Sequence, residues 1–415
     1  MKAVVIGYGI TGCISALYLC RRGYQVSIYD SSPAKGGNMH DIICNQSRYF
    51  NNRQYLNSHV TWFEDLRHEL TCDFLEFEHT CSSYTSILDE VIVQHDFPGP
   101  VIKRPMQGLN SAETNSESLL SRLSIYPQPV SSGLLNWAQL FAADLDRIHY
   151  KCAEGIQLSR VYFDYDDHDL IKHKQESPLA DDLLGVPGSI IDPNSSRIKA
   201  CIPVNGFDGF FRKLHDFLKL NGIQIFPDSP VIPRRQPGGD ISIFCREHKI
   251  NADLIIWAGN PVPVIHAAGF GKLDNPVCKM ILYVCYIDNQ SSSLSPHYIQ
   301  VFSNNSNITR IYLYEIDGVK KATVECFDKN ELIMQSVIAD ANIILAESGF
   351  KFKLLMAGSI RQKRYIFYTI DDYRRFETFE EFSAKTNMIG GAWWAYGHNA
   401  KIDIIFDQIA ARNCL

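Results

Sequence analysis

The first thirty residues constrain the fold more than any other stretch. Lys2–Ile6 (KAVVI) is a short β-branched run, too short for a helix and bounded by glycine, which predicts a buried parallel strand. Gly7-Tyr8-Gly9-Ile10-Thr11-Gly12 follows with GxGxxG spacing. Residues 13–22 (CISALYLCRR) then carry apolar positions at helical spacing, with Arg21 and Arg22 in the last turn and Gly23 as the stop. Gln25–Tyr29 reads as a second strand and ends on Asp30. Strand, glycine turn, helix, strand and acid succeed one another without an interruption.

Each position has a physical reason. Gly7 permits the tight turn, Gly9 lets backbone approach a pyrophosphate, and Gly12 lets the helix lie close on the strand. The N–H groups of Ile10, Thr11 and Gly12 open the helix and offer its positive dipole end to phosphate oxygens. Asp30 and Ser31 lie where ribose hydroxyls would sit. A carboxylate there repels a 2′-phosphate, which argues against NADP. The unit is therefore expected to bind a dinucleotide. A second glycine pair with a polar residue, Gly36-Gly37-Asn38, follows the acid closely. That pattern resembles FAD proteins of the glutathione-reductase type, in particular the amine oxidase and UDP-galactopyranose mutase branches, and the resemblance implies FAD as the cofactor.

Charge removes other classes. Forty Lys and Arg against 46 Asp and Glu give a net charge of −6, with no basic excess to neutralise a phosphate backbone, so no nucleic-acid partner is expected. The twelve cysteines show no CxxC pair and no regular spacing, and read as reduced core hydrophobes in a cytoplasmic protein with no metal site. No run of 18 apolar residues predicts a transmembrane helix.

Along the chain, 59–75 and 134–148 read as helices, with irregular sequence between them and acidic, Pro- and Ser-punctuated loops over 163–199. A helix from Phe207 to Leu220, a strand Ile223–Phe226 and a buried strand Asp253–Ala258 follow. Between 278 and 327 the period changes to two, giving strands at 280–287, 298–303, 309–314 and 321–327. A helix over 330–348 and a strand at 387–389 complete the elements. The expected fold class is α/β. A Rossmann-like FAD-binding domain with a parallel sheet would comprise 1–75, 200–275 and 385–415. A mainly helical and loop insertion would span 76–199, and an antiparallel-sheet substrate domain 276–384.

In motif order the chain is similar to UDP-galactopyranose mutases over most of its length. The resemblance implies that Val231 and Ala258-Gly259 touch the cofactor from neighbouring strand ends. It also implies that the turn Gly390-Gly391, continuing through Gly397, Asn399 and Ala400, places N–H groups against the flavin. Arg310, in Thr309-Arg310-Ile311, matches the mutase arginine that holds a nucleotide-sugar diphosphate. By strand alternation Arg310 shares a face with Tyr312. Departures are equally plain: Ala392 stands where the mutases have Arg, and His398-Asn399-Ala400 where they have Tyr and Asp.

The candidate catalytic groups are His398, Arg310 and Tyr396. The candidate substrate contacts are Arg53, Arg310, Arg364, Trp393 and Trp394, the tryptophans as an aromatic wall. Two functions stay open. One is an FAD-dependent oxidoreductase moving hydride between flavin N5 and a small polar amine or hydroxyl compound. The other is a nucleotide-sugar mutase without net redox. The partner is a small molecule, a nucleotide sugar or an amine, and a homodimer stays open.

Overall fold

The computed structural model describes residues 1–33, 36–37, 39–51, 55–58, 60–78, 80–87, 91–95, 101–102, 117–124, 128–153, 155–156, 162–163, 199–237, 240–289, 294–329, 334–395 and 397–413. Its nucleotide unit is a five-stranded parallel sheet in the order Gln224–Phe226, Gln25–Tyr29, Lys2–Ile6, Leu254–Trp257, Met388–Gly390. The opening strand lies at the centre because its residues are apolar on both faces; Val4 and Val5 are both buried. Strands from both ends of the sequence therefore share one sheet. The helix Ile10–Arg21 packs beside the last helix, His398–Asn413, where Tyr18 stacks on Phe406 at 3.7 Å and Ile402, Ile405 and Ile409 are buried.

The helix Gly206–Leu220 buries Phe207, Phe210, Phe211, Leu214 and Leu218, an i, i+3, i+4, i+7 stripe, and joins the same core.

The second sheet has seven strands. They run in the order Leu354–Ile366, Val277–Ile287, Val319–Phe327, Ile308–Ile316, His297–Ser303, Thr80–Ser86, Ile92–His95. Neighbours are antiparallel except Thr80–Ser86, which runs parallel to His297–Ser303. One face (Ile311, Leu313, Ala322, Val324, Cys326) packs on Val337, Ala341 and Ile344 of the helix Met334–Glu347. The opposite face turns Tyr298, Tyr312 and Tyr314 toward the nucleotide core. A hairpin, Asp41–Cys44 with Ser47–Phe50, lies against that same face through Ile42 and Tyr49 on Leu282 and Val284.

The four period-two strands expected over 280–327 are present, each extended by one to three residues. Other expectations need correction. The helix expected over 134–148 runs from Val130 to Gln139, and the remainder is a turn that delivers Phe141, Leu145 and Ile148 to the core. The region 59–75 holds a shorter helix, Thr61–Glu69, and then a strand, Phe74–Glu78. Within 76–199 the described residues include the helices Leu119–Ser124 and Val130–Gln139, and also Thr80–Ser86 and Ile92–His95, which extend the seven-stranded sheet. The segment 370–383, placed within the antiparallel-sheet substrate domain, is the helix Ile370–Ser383, and its Phe376 and Phe379 share a core with Trp393 and Val264 beside the parallel sheet.

No helix of the described residues is long and apolar enough to cross a membrane. Among the described residues no His/Cys/Asp/Glu group is arranged to hold a metal, and Cys13, Cys201, Cys285 and Cys326 are free and buried.

Candidate cofactor and substrate site

The glycine turn distributes its crowding unevenly. Gly7 has φ +112°, and a Cβ there would come 2.9 Å from Gly259 N, so the strand ends at Gly7 and Gly259 are packed backbone to backbone. A Cβ on Gly12 would overlap the Gly7 carbonyl oxygen. Above Gly9 the space is open, with no atom within 4 Å of the Cβ position. Gly9 is the N-cap of its helix yet offers no side-chain acceptor, and the first turn has no acid, so the leading N–H groups remain for a ligand.

The second glycine pair closes over this opening. Gly36 pairs with Gly9 in a parallel bridge and donates its N–H to the Tyr8 carbonyl at 3.2 Å. Gly37 (φ +60°) lies so near that its Cβ position is 3.4 Å from Gly9 Cα. Asp30 accepts the Tyr8 N–H at 2.6 Å and the Ser32 N–H at 2.7 Å, one on each oxygen. Each oxygen keeps a lone pair for a hydroxyl. Ser229 donates its N–H to the Asp30 carbonyl at 2.7 Å, which brings the segment leading into Val231 alongside the acid. An anionic dinucleotide fits this donor set and this opening.

The hairpin Asp41–Phe50 ties the turn to the seven-stranded sheet. Asp41 is buried and its carboxylate takes the N–H groups of Phe207 (3.0 Å) and Asp208 (3.1 Å). It thus caps the helix Gly206–Leu220 from a distance, where Asn205 makes no side-chain cap. Burial outweighs those bonds and pushes the Asp41 carboxyl up to about 6. Arg48 bonds the Asn205 carbonyl and pairs with Asp317 at 3.4 Å. Gly206, with φ +71°, is needed here because a Cβ would meet the Asp41 carboxylate and lie 2.6 Å from Arg48 Nη1.

On the sheet face below, cross-strand register aligns Gln300, Arg310 and Glu325, then Tyr298, Tyr312 and Thr323, then Tyr314 and Lys321. Glu325 is buried, and its Oε1 accepts the Tyr365 hydroxyl (2.6 Å) and the Thr309 hydroxyl (2.9 Å) and pairs with Arg310 Nε at 3.2 Å. Lys321, also buried, donates to the Arg48 carbonyl at 2.7 Å and lies 4.9 Å from the Tyr49 ring centroid. Burial holds its ammonium pKa below the usual lysine value. This is a polar floor, paired internally and mostly buried, with Arg310 its partly exposed member.

Strand alternation gave Arg310 and Tyr312 one face in common, and in the structure that is the face carrying Tyr298, Tyr314 and Glu325. What strand alternation missed is Glu325, because the pairing depends on the register of another strand and a bulge at Ile308–Arg310. Gly390 ends the last strand opposite Trp257, and a Cβ on Gly391 would strike the Trp257 carbonyl oxygen. Ala258, Gly259, Gly390 and Gly391 thus form one packed cluster of strand ends. Trp393 departs from the expected aromatic wall: it is buried against Phe376 and Phe379, and its indole N–H donates to the Gly259 carbonyl at 2.8 Å. Trp394 is half-buried, with its carbonyl accepting the Tyr373 hydroxyl at 3.2 Å. After Gly397 (φ +81°), His398 and Asn399 begin the last helix half-buried and Ala400 is exposed. Asn38, Arg53 and Tyr396 lie outside the described residues, as does the side chain of Arg364.

Comparison with known proteins agrees with this geometry. Residues 5–67 match the NAD(P)-binding Rossmann-like domain. A 41-residue stretch is 46% identical to the 1-hydroxycarotenoid 3,4-desaturase of Flavobacterium sp. (strain P99-3), a match covering 10% of this chain and 8% of that protein. The solved structure of reduced UDP-galactopyranose mutase superposes with a TM-score of 0.68 at 12% identity, covering 100% of this chain and 94% of the other. A putrescine oxidase redesigned in its cofactor binding gives 0.58 at 11% identity, covering 99% of each chain. The chain has a Rossmann-type nucleotide-binding unit and shares the overall fold of the two solved structures.

Proposed function

We propose that this protein binds FAD and is an FAD-dependent oxidoreductase acting on a small polar amine or hydroxyl compound. The observation that carries the reading is the junction of two built surfaces: the open Gly9–Gly37 seat and the buried polar floor of the seven-stranded sheet, joined by the hairpin Asp41–Phe50. In this reading the N–H groups of Ile10, Thr11 and Gly12 bind the pyrophosphate, Asp30 accepts ribose hydroxyls, and the packed strand ends Ala258-Gly259 and Gly390-Gly391 hold the returning chain in place. A bound flavin would supply hydride acceptance, which needs positioning and exclusion of water more than acid–base groups. Tyr298, Tyr312 and Tyr314 exclude water on the sheet side, and Glu325 holds the Tyr365 proton and orients Arg310.

The mutase reading would assign Arg310 to a diphosphate. Glu325 weighs against it, because a buried carboxylate already offsets the guanidinium charge from its Nε side. Ala392, where the mutases have Arg, points the same way.

The test is spectroscopic. The purified protein should be yellow, release FAD on acid precipitation, and bleach under nitrogen with an amine or alcohol substrate. Ring-contracted nucleotide sugar formed over dithionite-reduced protein would refute the oxidoreductase reading, and a colourless protein that takes up no flavin would refute both.

A further inference from the structure

His40 and Asn51 flank the hairpin Asp41–Phe50 and meet at its base. His40 Nδ1 lies 3.0 Å from the Gly37 carbonyl, and Asn51 Nδ2 lies 2.9 Å from His40 Nε2. A carbonyl can only accept, so Nδ1 carries the ring proton, and Nε2 is left to accept from the Asn51 amide N–H. That sequence of bonds fixes which way the Asn51 carboxamide points. Its NH₂ end is spent on His40. Its Oδ1 end is buried in a residue only 5% exposed, and it has no hydrogen-bond partner among the described residues.

A buried carbonyl left without a donor is costly, and folded proteins seldom keep one without a use. The location says what would satisfy it. Asn51 is one imidazole ring and two hydrogen bonds from Gly37, which itself touches Gly9 at the opening where the pyrophosphate is expected. Phosphate oxygens only accept, so they cannot pair with Oδ1. The groups beside a pyrophosphate that donate are the hydroxyls of its sugar or sugar-alcohol chains.

We propose that Asn51 Oδ1, oriented by His40 from the Gly37 turn, accepts a hydrogen bond from a hydroxyl of the dinucleotide bound over Gly9. This rests on the FAD reading above. It assigns a ligand contact to a residue outside the glycine motifs, and gives His40 a positioning role.

The test uses the full chain stripped of cofactor, with Asn51→Ala and the similarly sized Asn51→Leu beside the parent. Binding of FAD is followed by flavin fluorescence, and thermal unfolding is measured without cofactor. Both variants should weaken FAD about tenfold or more, while the cofactor-free melting temperature changes little, because the lost carbonyl had no partner there and the lost amide N–H served only His40, an exposed residue whose ring can bond water instead. His40→Ala, which frees the amide to rotate, should weaken FAD by a smaller factor. Titration with ADP separates two sources of the hydroxyl: unchanged ADP binding in the variants assigns it to the ribityl chain, and weakened ADP binding to the adenosine ribose. Variants that bind FAD like the parent but melt several degrees lower would overturn the proposal and make the pair a hairpin staple. A parent protein that binds no flavin would overturn it together with the FAD reading.

Discussion

Gly9 and Gly12 look interchangeable as letters of one motif, yet alanine at each should fail differently. Gly9 has φ −80° and ψ 178°, open to any residue, and its Cβ position touches nothing within 4 Å. Alanine there gains about 0.4–1 kcal/mol by narrowing the unfolded ensemble. It loses roughly 0.5 kcal/mol as a poorer N-cap than glycine. Cofactor-free stability should therefore stay within about 0.5 kcal/mol of the parent. The new methyl occupies the opening over the helix N-terminus, and FAD affinity should fall at least tenfold, about 1.4 kcal/mol. At Gly12 the Cβ would overlap the Gly7 carbonyl oxygen and lie 3.0 Å from its carbon, both backbone atoms that cannot rotate away. The helix must lift from the strand, at a cost of about 1–3 kcal/mol or more. Urea unfolding of the cofactor-free variants gives the first quantity and FAD titration the second. Equal destabilisation by both substitutions, or parental FAD binding by Gly9→Ala, would refute the assignment of the open space to a ligand.

Three other outcomes follow from the buried charges. Glu325→Ala leaves the half-buried Arg310 without its carboxylate and the Tyr365 and Thr309 hydroxyls without their acceptor, and should cost about 3 kcal/mol in urea unfolding, whereas a loss below ~1 kcal/mol would show the pair to be solvated. His149 is 6% exposed, stacks on Tyr373 at 3.8 Å, and burial pulls its pKa down to about 4; the unfolded chain binds its proton first, so this group costs stability as pH falls from 6.5, approaching roughly 3 kcal/mol below pH 4. Asp41, pushed up to about 6, binds its proton first in the folded state and gains stability as pH falls from about 6 toward 3.8. The two offset each other in the parent, so His149→Phe should make stability rise on acidification over this window and Asp41→Asn should make it fall; identical pH slopes in parent and variants would exclude both groups as the source.

Much of the nucleotide unit was legible because its signals are local. Residues 2–30 encode strand, turn, helix and acid through neighbours alone, and the period-two stretches at 280–327 encode strands the same way. The misreadings share a physical cause. Trp393 next to a glycine turn reads as a ligand wall, but Phe376 and Phe379 arrive from another helix and draw it into the core. The apolar spacing beyond Gln139 continues, although that segment delivers its side chains from a turn. Thr80–Ser86 joins a strand more than two hundred positions away, and no pattern within it announces that partner. Asp41 as a remote helix cap and Glu325 as the partner of Arg310 are likewise products of register and close approach, invisible to spacing.

The central strand Lys2–Ile6 has one neighbour, Gln25–Tyr29, that follows at once, and another, Leu254–Trp257, supplied only after most of the protein has been made. During synthesis on the ribosome it must wait with one flank bare, an adhesive edge exposed to other nascent chains. Non-local pairing of this kind also folds slowly. Yield from a cell should accordingly depend on chaperone supply and on translation speed, and a ligand that seats on the finished sheet would reward only those molecules that closed it.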